Sequence, residues 1–142
     1  MFLYFLRDSH QLVRFMAIPN FEKSTILVVE DDEMSFLYLS QIFRLTRNGV
    51  VRARNGNEAI QISRHNRDID LILMDIQLPD IDGNTITREI RKFNRELPII
   101  AQTAGKTLQE RDAALESGCN EVLVKPFKME ELTGMLEKYL KG

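Results

Sequence analysis

Four apolar segments of the sequence each end in residues that could take part in phosphate or metal chemistry. Glu30 and Asp31 follow the first segment, and Asp75, Thr103 and Lys125 end later ones. Carboxylates are preferred ligands of Mg²⁺, and a carboxylate can also attack phosphorus to form an acyl phosphate. A hydroxyl and an ammonium group can bind the oxygens of a transferred phosphoryl group. If the fold brings the four ends together, these residues predict metal-assisted phosphoryl transfer.

The acidic residues divide between metal binding and nucleophilic attack. Asp31 and Asp75 suit direct coordination of Mg²⁺, and Glu30 suits direct or water-mediated coordination. Gln77 could add its backbone carbonyl. Asp75 is also the predicted nucleophile, because a bound cation offsets the repulsion between carboxylate and phosphate. Taken alone, an aspartate at a strand end is more often a turn or helix cap, and Asp32 is predicted to be such a cap.

Short apolar runs alternate with longer segments of helical period from Thr25 onward. This alternation is typical of βαβ units around a parallel sheet. The predicted strands are residues 25–30, 50–54, 70–75, 98–103 and 121–125. The predicted helices are residues 34–46, 56–66, 84–93, 107–117 and 129–140, with Gly118 as a C′ glycine after the fourth.

The predicted fold is a flavodoxin-like, doubly wound α/β domain with helices on both faces of a five-stranded parallel sheet. The first, third and fourth strands are continuously apolar, as strands covered on both faces must be. The second strand, VVRAR, alternates apolar residues with Arg52 and Arg54, which predicts an edge strand with one wet face. We therefore expect the strand order 2-1-3-4-5, in which the candidate strand ends meet at one rim.

Composition argues against several function classes. With 142 residues and a formal net charge of −2, the chain is long enough for one core and has no field to attract nucleic acid or an anionic membrane. The lone Cys119 cannot form an internal disulfide, which favours a cytoplasmic location. The apolar start is too short for a signal-peptide core or a membrane span. Residues 1–23 are predicted to be an appendage, either an extra helix or flexible, or a misplaced start with Met16 as the true one; residues 24–142 are the predicted domain.

Four motifs make the chain similar to a known family. ILVVEDDE resembles the first strand and acidic pair of the receiver domains of two-component response regulators, and LILMDIQLPDIDG resembles their phosphoacceptor strand and following loop. PIIAQTA resembles the segment that carries the switch hydroxyl. LESGCNEVLVKPF resembles the glycine turn, last strand and lysine–proline bond, which is typically cis in the family. The resemblance covers residues 25–140 and implies that Asp75 is the phosphoacceptor and Thr103 the switch residue.

The resemblance also implies a mechanism and partners. A phosphohistidine on a histidine kinase or a histidine phosphotransfer protein would supply the phosphoryl group to Asp75, with Mg²⁺ as cofactor. Thr103 and neighbouring loops would then shift and change the surface formed by the last two helices and the last strand. The signal would pass by contact to an unidentified downstream protein, from a monomer or weak dimer. Beyond accepting and slowly hydrolysing its own phosphoryl group, the chain is expected not to be an enzyme.

Two positions bear on the switch and on hydrolysis. The family commonly has Tyr or Phe as a switch residue three residues before the lysine, where this sequence has Val122 and therefore lacks the aromatic side chain. In the family, Gln77 and Gly105 correspond to positions that flank the route of the attacking water. Gly105 is expected to leave its side of that route open.

The first helix carries more apolar residues than one core-facing stripe needs. Core packing accounts for about half of them. For the others there are two hypotheses: a docking surface for a histidine-containing partner, or cover by the N-terminal segment Phe2–Leu6.

Other functions remain open at this point. The chain could be the receiver module of a hybrid histidine kinase or a phosphorelay. A degenerate receiver that acts only as a scaffold is disfavoured, because the acidic residues, the threonine and the lysine of the candidate site are all present. A Mg²⁺-dependent phosphatase with an aspartyl-phosphate intermediate is disfavoured, because such enzymes usually have a second carboxylate where this chain has Gln77. A nucleotide- or flavin-binding module is disfavoured because no glycine-rich loop follows the first strand.

Overall fold

The computed structural model describes residues 18–105 and 107–140. The predicted cover segment Phe2–Leu6 and the candidate start Met16 therefore lie outside the described residues. Phe21, near the end of the predicted appendage, is buried, and its N–H donates to the carbonyl of Thr46 at 2.7 Å. The last residues before the first strand thus pack against the domain.

Strands and helices alternate through the described part of the chain, as the sequence predicts. The strands are β1 (Thr25–Val29), β2 (Gly49–Ala53), β3 (Leu71–Asp75), β4 (Ile99–Thr103) and β5 (Glu121–Val124). The helices are α1 (Glu33–Thr46), α2 (Gly56–His65), α3 (Gly83–Arg91), α4 (Leu108–Ser117) and α5 (Met129–Tyr139). None of these helices has the length and apolar character needed to cross a membrane.

The sheet is five-stranded and parallel, with the predicted order β2-β1-β3-β4-β5. Register pairs Val29 with Met74, Asp75 with Gln102, and Thr103 with Val124. The carboxyl ends of the four strands β1, β3, β4 and β5 are therefore level with one another. Ligands of open α/β sheets bind at this edge.

Two apolar clusters lie on opposite faces of the sheet. In β3, Ile72 and Met74 join the cluster beneath α2, α3 and α4, whereas Leu71 and Leu73 join the cluster beneath α1 and α5. All residues of β3 and β4 are buried, which confirms that these strands are covered on both faces. Because side chains alternate along a strand, Asp75 points toward the α1 and α5 face.

The edge strand β2 differs from its prediction in one respect. It lies at the edge of the sheet as expected. The side chain of Arg52, however, is only 12% exposed, because its guanidinium stacks over the ring of Phe36 on α1 at 4.2 Å from the ring centroid. The predicted wet face is therefore wrong at this position.

Local signals in the sequence set the ends of the helices next to the sheet. Asp32 caps α1 by accepting a hydrogen bond from the N–H of Ser35 at 2.8 Å, as predicted. Gly118 ends α4 at φ +114°, a left-handed conformation that favours glycine.

At the start of α3, a Cβ on Gly83 would overlap the carbonyl oxygen of Asp75 and lie 2.7 Å from the Cα of Ile76. Only glycine lets α3 begin this close to the end of β3.

Replacing Gly83 by alanine is expected to lower the free energy of unfolding by about 2 kcal/mol or more, because the overlap is with backbone that cannot move aside cheaply. The matched control is Gly134→Ala in α5, where an added Cβ meets nothing within 4 Å. That change is expected to raise the free energy of unfolding by up to about 1 kcal/mol, since alanine favours helix more than glycine does. Urea unfolding of both variants is the measurement, and equal effects would contradict the close approach at Gly83.

Candidate functional site

Three carboxylates meet at the carboxyl ends of β1 and β3. One oxygen from each of Glu30, Asp31 and Asp75 lies within 4.8 Å of one from each of the others. The two strands are neighbours in register, so the residues that follow Val29 lie beside Asp75. Glu30 and Asp75 are buried, whereas Asp31 is exposed and leaves one side of the cluster open to solvent. The predicted acidic residues are thus brought together.

Lys125 lies against the two buried carboxylates. Its ammonium is 3.4 Å from Oε1 of Glu30 and 3.5 Å from Oδ2 of Asp75. Its backbone N–H donates to the carbonyl of Thr103 at 2.8 Å, and the Lys125–Pro126 bond is cis, as in the resembled family. One positive charge therefore faces two negative ones, and the cluster as a whole retains excess negative charge.

The pKa of Glu30 is raised from its ordinary value of 4.5 to about 7, chiefly because burial disfavours the charged form. The neighbouring Asp75 contributes to this rise through hydrogen bonding and its negative charge, whereas Lys125 and the backbone N–H of Asp32 act against it. Near neutral pH a metal-free cluster thus holds a proton on Glu30 for part of the time. A divalent cation would compete with that proton.

Side chains at the ends of β3 and β4 tie down the loops that follow them. Oδ1 of Asp75 accepts a hydrogen bond from the N–H of Gln77 at 3.0 Å. The hydroxyl oxygen of Thr103 accepts one from the N–H of Gly105 at 2.9 Å. Thr103 is buried at the end of β4, next to β3, so it lies at the predicted rim. The metal contact of the Gln77 carbonyl stays a prediction.

A cavity of about 350 Å³ lies between the loop after β3 and the start of α4. Thr103, Gln77, Gly105, Asn84 and Glu110 contribute to its lining. A Cβ on Gly105 would overlap the carboxylate of Glu110, so the space beside Gly105 is occupied. The expectation that Gly105 leaves this side open is wrong, because a side chain from the next helix fills the position.

Val122 is buried and pairs in register with Ala101. Its side chain belongs to the cluster beneath α2, α3 and α4. The position where the family commonly has an aromatic switch residue is therefore part of the core here. The switch role of Val122 stays a prediction.

A second cavity, of about 470 Å³, lies between α1 and the segment after β5. Met34, Leu39 and the stem of Lys125 contribute to its lining. Tyr38 also lines it, and its hydroxyl donates to the carbonyl of Phe127 at 3.1 Å. The groove is mostly apolar and adjoins the acidic cluster through Lys125.

The outer face of α1 beside this groove is apolar and exposed. Leu39, Ile42 and Phe43 of the predicted apolar arc are buried in the core. Leu37 and Leu45 are exposed, and Met34 is 73% exposed. Core packing thus accounts for part of the arc, and the docking and cover hypotheses both stay open for the remainder.

Sequence reasoning missed three residues near the rim of the sheet. Gln102 is 1% exposed, and its Nε2 has no hydrogen-bond partner among the described residues. Gln102 could have been found from the sequence, because it lies within the predicted fourth strand, and a strand covered on both faces buries its side-chain amide. Glu110 and Arg52 gave no such signal, because their side chains reach the site from other elements.

Comparison with known proteins supports the resemblance. The model of the response regulator receiver domain family matches residues 26–137. The yeast (Saccharomyces cerevisiae) transcription factor SKN7 is 37% identical over 131 residues, which cover 87% of this chain and 21% of SKN7. The response regulator MprA from Mycobacterium sp. is 34% identical over 116 residues, which cover 82% of this chain and 50% of MprA. The chain thus spans half or less of the length of these two relatives.

Solved receiver domains superpose on the fold. The receiver domain of the sensor histidine kinase PA1611 from Pseudomonas aeruginosa, crystallised with a magnesium ion in its active-site cleft, gives a TM-score of 0.76 at 36% identity. That match covers 82% of this chain and 96% of the solved one. The receiver domain of Ssk1, crystallised with the histidine phosphotransfer protein Ypd1 of Saccharomyces cerevisiae, gives 0.77 at 30% identity, covering 84% and 90%. The chain therefore belongs to the response regulator receiver domain family of two-component signalling.

Proposed function

We propose that Asp75 accepts a phosphoryl group from a phosphohistidine, with Mg²⁺ held by Glu30, Asp31 and Asp75. The observation that carries this proposal is the approach of the three carboxylates within 4.8 Å of one another, with Lys125 beside two of them. A merely structural cluster would not need three carboxylates at one strand rim, because buried charges are costly unless they are compensated.

The donor set fits Mg²⁺. All three groups offer hard oxygen atoms, and the exposed side at Asp31 leaves room for waters and for phosphoryl oxygens. When bound, the ion would supply positive charge that offsets the repulsion between Asp75 and an incoming phosphate. The carbonyl of Gln77 is the proposed additional ligand.

The transfer step uses groups that already surround Asp75. A carboxylate oxygen of Asp75 forms a bond to phosphorus while the bond from phosphorus to the imidazole nitrogen breaks, and that nitrogen keeps the electron pair. The ammonium of Lys125 stabilises the charge on the phosphoryl oxygens. The hydroxyl of Thr103 uses its oxygen to accept from Gly105, so its own proton remains available for a phosphoryl oxygen.

Phosphorylation would be read out through the loop after β4. A hydrogen bond from Thr103 to the phosphoryl group would draw the segment 103–105 toward Asp75 and displace the start of α4. The altered surface would be that of α4, β5 and α5, read by a downstream protein through direct contact. With Val122 packed in the core, we expect the threonine and its loop to carry the switch without an aromatic rotation.

The donor would be a histidine kinase or a histidine phosphotransfer protein. The exposed side of α1 and the adjoining groove suit a partner that must bring its phosphohistidine to Asp75, because Lys125 belongs to both groove and site. The chain would act in the cytoplasm as a monomer or weak dimer, either alone or as the receiver of a hybrid kinase. We propose no catalytic turnover of other substrates, since Gln77 replaces the second carboxylate of aspartyl-phosphate phosphatases.

Incubation with a small-molecule phosphodonor and Mg²⁺ is expected to add one phosphoryl group to the wild-type chain and none to Asp75→Asn. Asparagine keeps the shape of the side chain but lacks the nucleophilic carboxylate. Intact mass spectrometry with and without a metal chelator is the measurement. Addition to the variant would assign the acceptor elsewhere, and no Mg²⁺-dependent addition to the wild type would overturn the proposed function.

Glu30 is expected to make the metal-free protein less stable as the pH rises from 4.5 toward 7. In this window the folded state holds a proton on Glu30 that the unfolded chain has lost, so raising the pH favours unfolding. Glu30→Gln removes the titrating carboxyl group, so the free energy of unfolding of this variant should depend less on pH in this window. Urea unfolding of both proteins in chelator between about pH 5 and pH 8 measures the difference; equal slopes would contradict the raised pKa.

Removing the carboxylate of Glu110 is expected to shorten the lifetime of the phosphorylated state several-fold. The side chain fills the space beside Gly105 that flanks the water route in this family, so Glu110→Ala should admit water more readily. Glu116→Ala, an exposed change on the same helix, is the control. The loss of phosphorylated mass with time is the measurement, and identical lifetimes in the two variants would exclude the role of Glu110.

A further inference from the structure

We infer that Arg52 on the edge strand β2 is a positioning residue that fixes the turn carrying two of the three candidate metal ligands. The inference rests on the proposed function, since it concerns the same acidic cluster. It adds a residue that neither the sequence motifs nor the carboxylate geometry identifies.

All three nitrogens of the Arg52 guanidinium are engaged at the turn between β1 and α1. Nε and Nη2 donate to the carbonyl oxygen of Glu30 at 3.1 and 3.0 Å, and Nη2 also approaches the carbonyl of Asp31 at 3.4 Å. Nη1 donates to Oε1 of Glu33 at 2.9 Å. The guanidinium therefore links the backbone of both ligand residues to the first turn of α1.

Both backbone polar groups of Glu30, the N–H and the carbonyl, form hydrogen bonds with β2. Its N–H donates to the carbonyl of Ala53 at 3.0 Å, which extends the pairing of β1 with β2. Its carbonyl accepts the two bonds from Arg52. With the backbone fixed on the β2 side, the Glu30 side chain faces Asp75 and Lys125.

The position of Arg52 is itself restrained. The guanidinium lies 4.2 Å from the centroid of the Phe36 ring, a cation–π contact, and the side chain is 12% exposed. A planar guanidinium with several fixed donors loses less freedom per hydrogen bond than a lysine would. Edge-strand arginines are usually solvated, whereas this one is packed between the sheet and α1.

Metal ligands depend on such supporting contacts. Groups that orient the ligands commonly change metal affinity by about 10- to 100-fold when they are removed. The positive charge of Arg52 acts in the opposite direction, because it repels a cation. The positioning effect can therefore be measured only against a variant that loses the same charge without touching the turn.

Arg54 provides that control. It lies two positions further along the same strand end, carries the same charge and also pairs with Glu33. Its side chain is 59% exposed, and no contact from it to the carbonyl of Glu30 or Asp31 is found among the described residues. Arg54→Met thus removes the charge and the pairing with Glu33 but leaves the carbonyl contacts intact.

The test is a titration of the full chain with Mg²⁺ alone, in which amide chemical shifts in NMR spectra report binding. Four proteins are compared: the wild type, Arg52→Met, Arg54→Met and Arg52→Lys. Arg52→Met is expected to bind Mg²⁺ about tenfold more weakly than Arg54→Met. Arg52→Lys keeps the charge but not the planar guanidinium with its several donors, and its Mg²⁺ affinity should lie between those of the wild type and Arg52→Met. Equal or tighter binding by Arg52→Met than by Arg54→Met would overturn the inference, as would unchanged affinity in Arg52→Lys.

Two further measurements separate the possible failures. Hydrogen exchange of the metal-free proteins reports the turn directly, and Arg52→Met should speed exchange at Asp32 and its neighbours, whereas Arg54→Met should not. Equal exchange in the two variants would overturn the fixed turn whether or not metal binds. Absence of Mg²⁺ binding by the wild type would instead overturn the proposed function. If Arg52→Met fails to fold, Arg52→Lys against the wild type, which carries the same charge, decides the question by the same readouts.

Discussion

The close approach of like charges at the ends of β1 and β3 is the constraint on which the rest of the site depends. Two unit charges about 4 Å apart interact by roughly 4 kcal/mol at an effective dielectric constant of about 20. Three carboxylates cannot share this space without compensation. Lys125 supplies one positive charge at 3.4 Å from Glu30, and a proton or a cation must supply the remainder. The repulsion between the close carboxylates lowers the stability of the metal-free fold. The same repulsion favours the binding of a cation.

The two faces of the sheet give the site two different surroundings. Glu30, Asp75 and Lys125 lie on the α1 side, next to an apolar groove. Thr103 continues the alternation of Ile99 and Ala101 and lines the polar cavity toward α4. In the proposed function, a partner that approaches along α1 and a loop that moves beneath α4 would therefore reach Asp75 from opposite sides. This separation would allow delivery and readout to occur without competing for one surface.

Much of the fold and the site could be predicted from the sequence, because a parallel sheet aligns the carboxyl ends of its strands. Continuous apolar runs gave β1, β3 and β4, and the half-polar β2 gave the edge and with it the strand order. Glu30, Asp75, Thr103 and Lys125 were then confined to one rim by topology alone. The predictions that failed concern side chains that cross between elements. The side chain of Arg52 packs over the ring of Phe36, and that of Glu110 fills the space beside Gly105. Neither contact can be predicted from hydrophobic periodicity or from the position of a residue in a strand.

Helix α4 is only slightly buried, so a small interaction energy is enough to change its position. Of its 10 residues, only Ala114 and Ser117 are buried. A helix with so few buried side chains has little packing energy to oppose a change of position. A hydrogen bond from Thr103 to a charged phosphoryl oxygen would contribute roughly 1.5–3 kcal/mol, which changes the ratio of two populations by roughly ten- to a hundredfold. A change of that size would be enough to make a less populated arrangement of α4 the major one, because little packing opposes the shift.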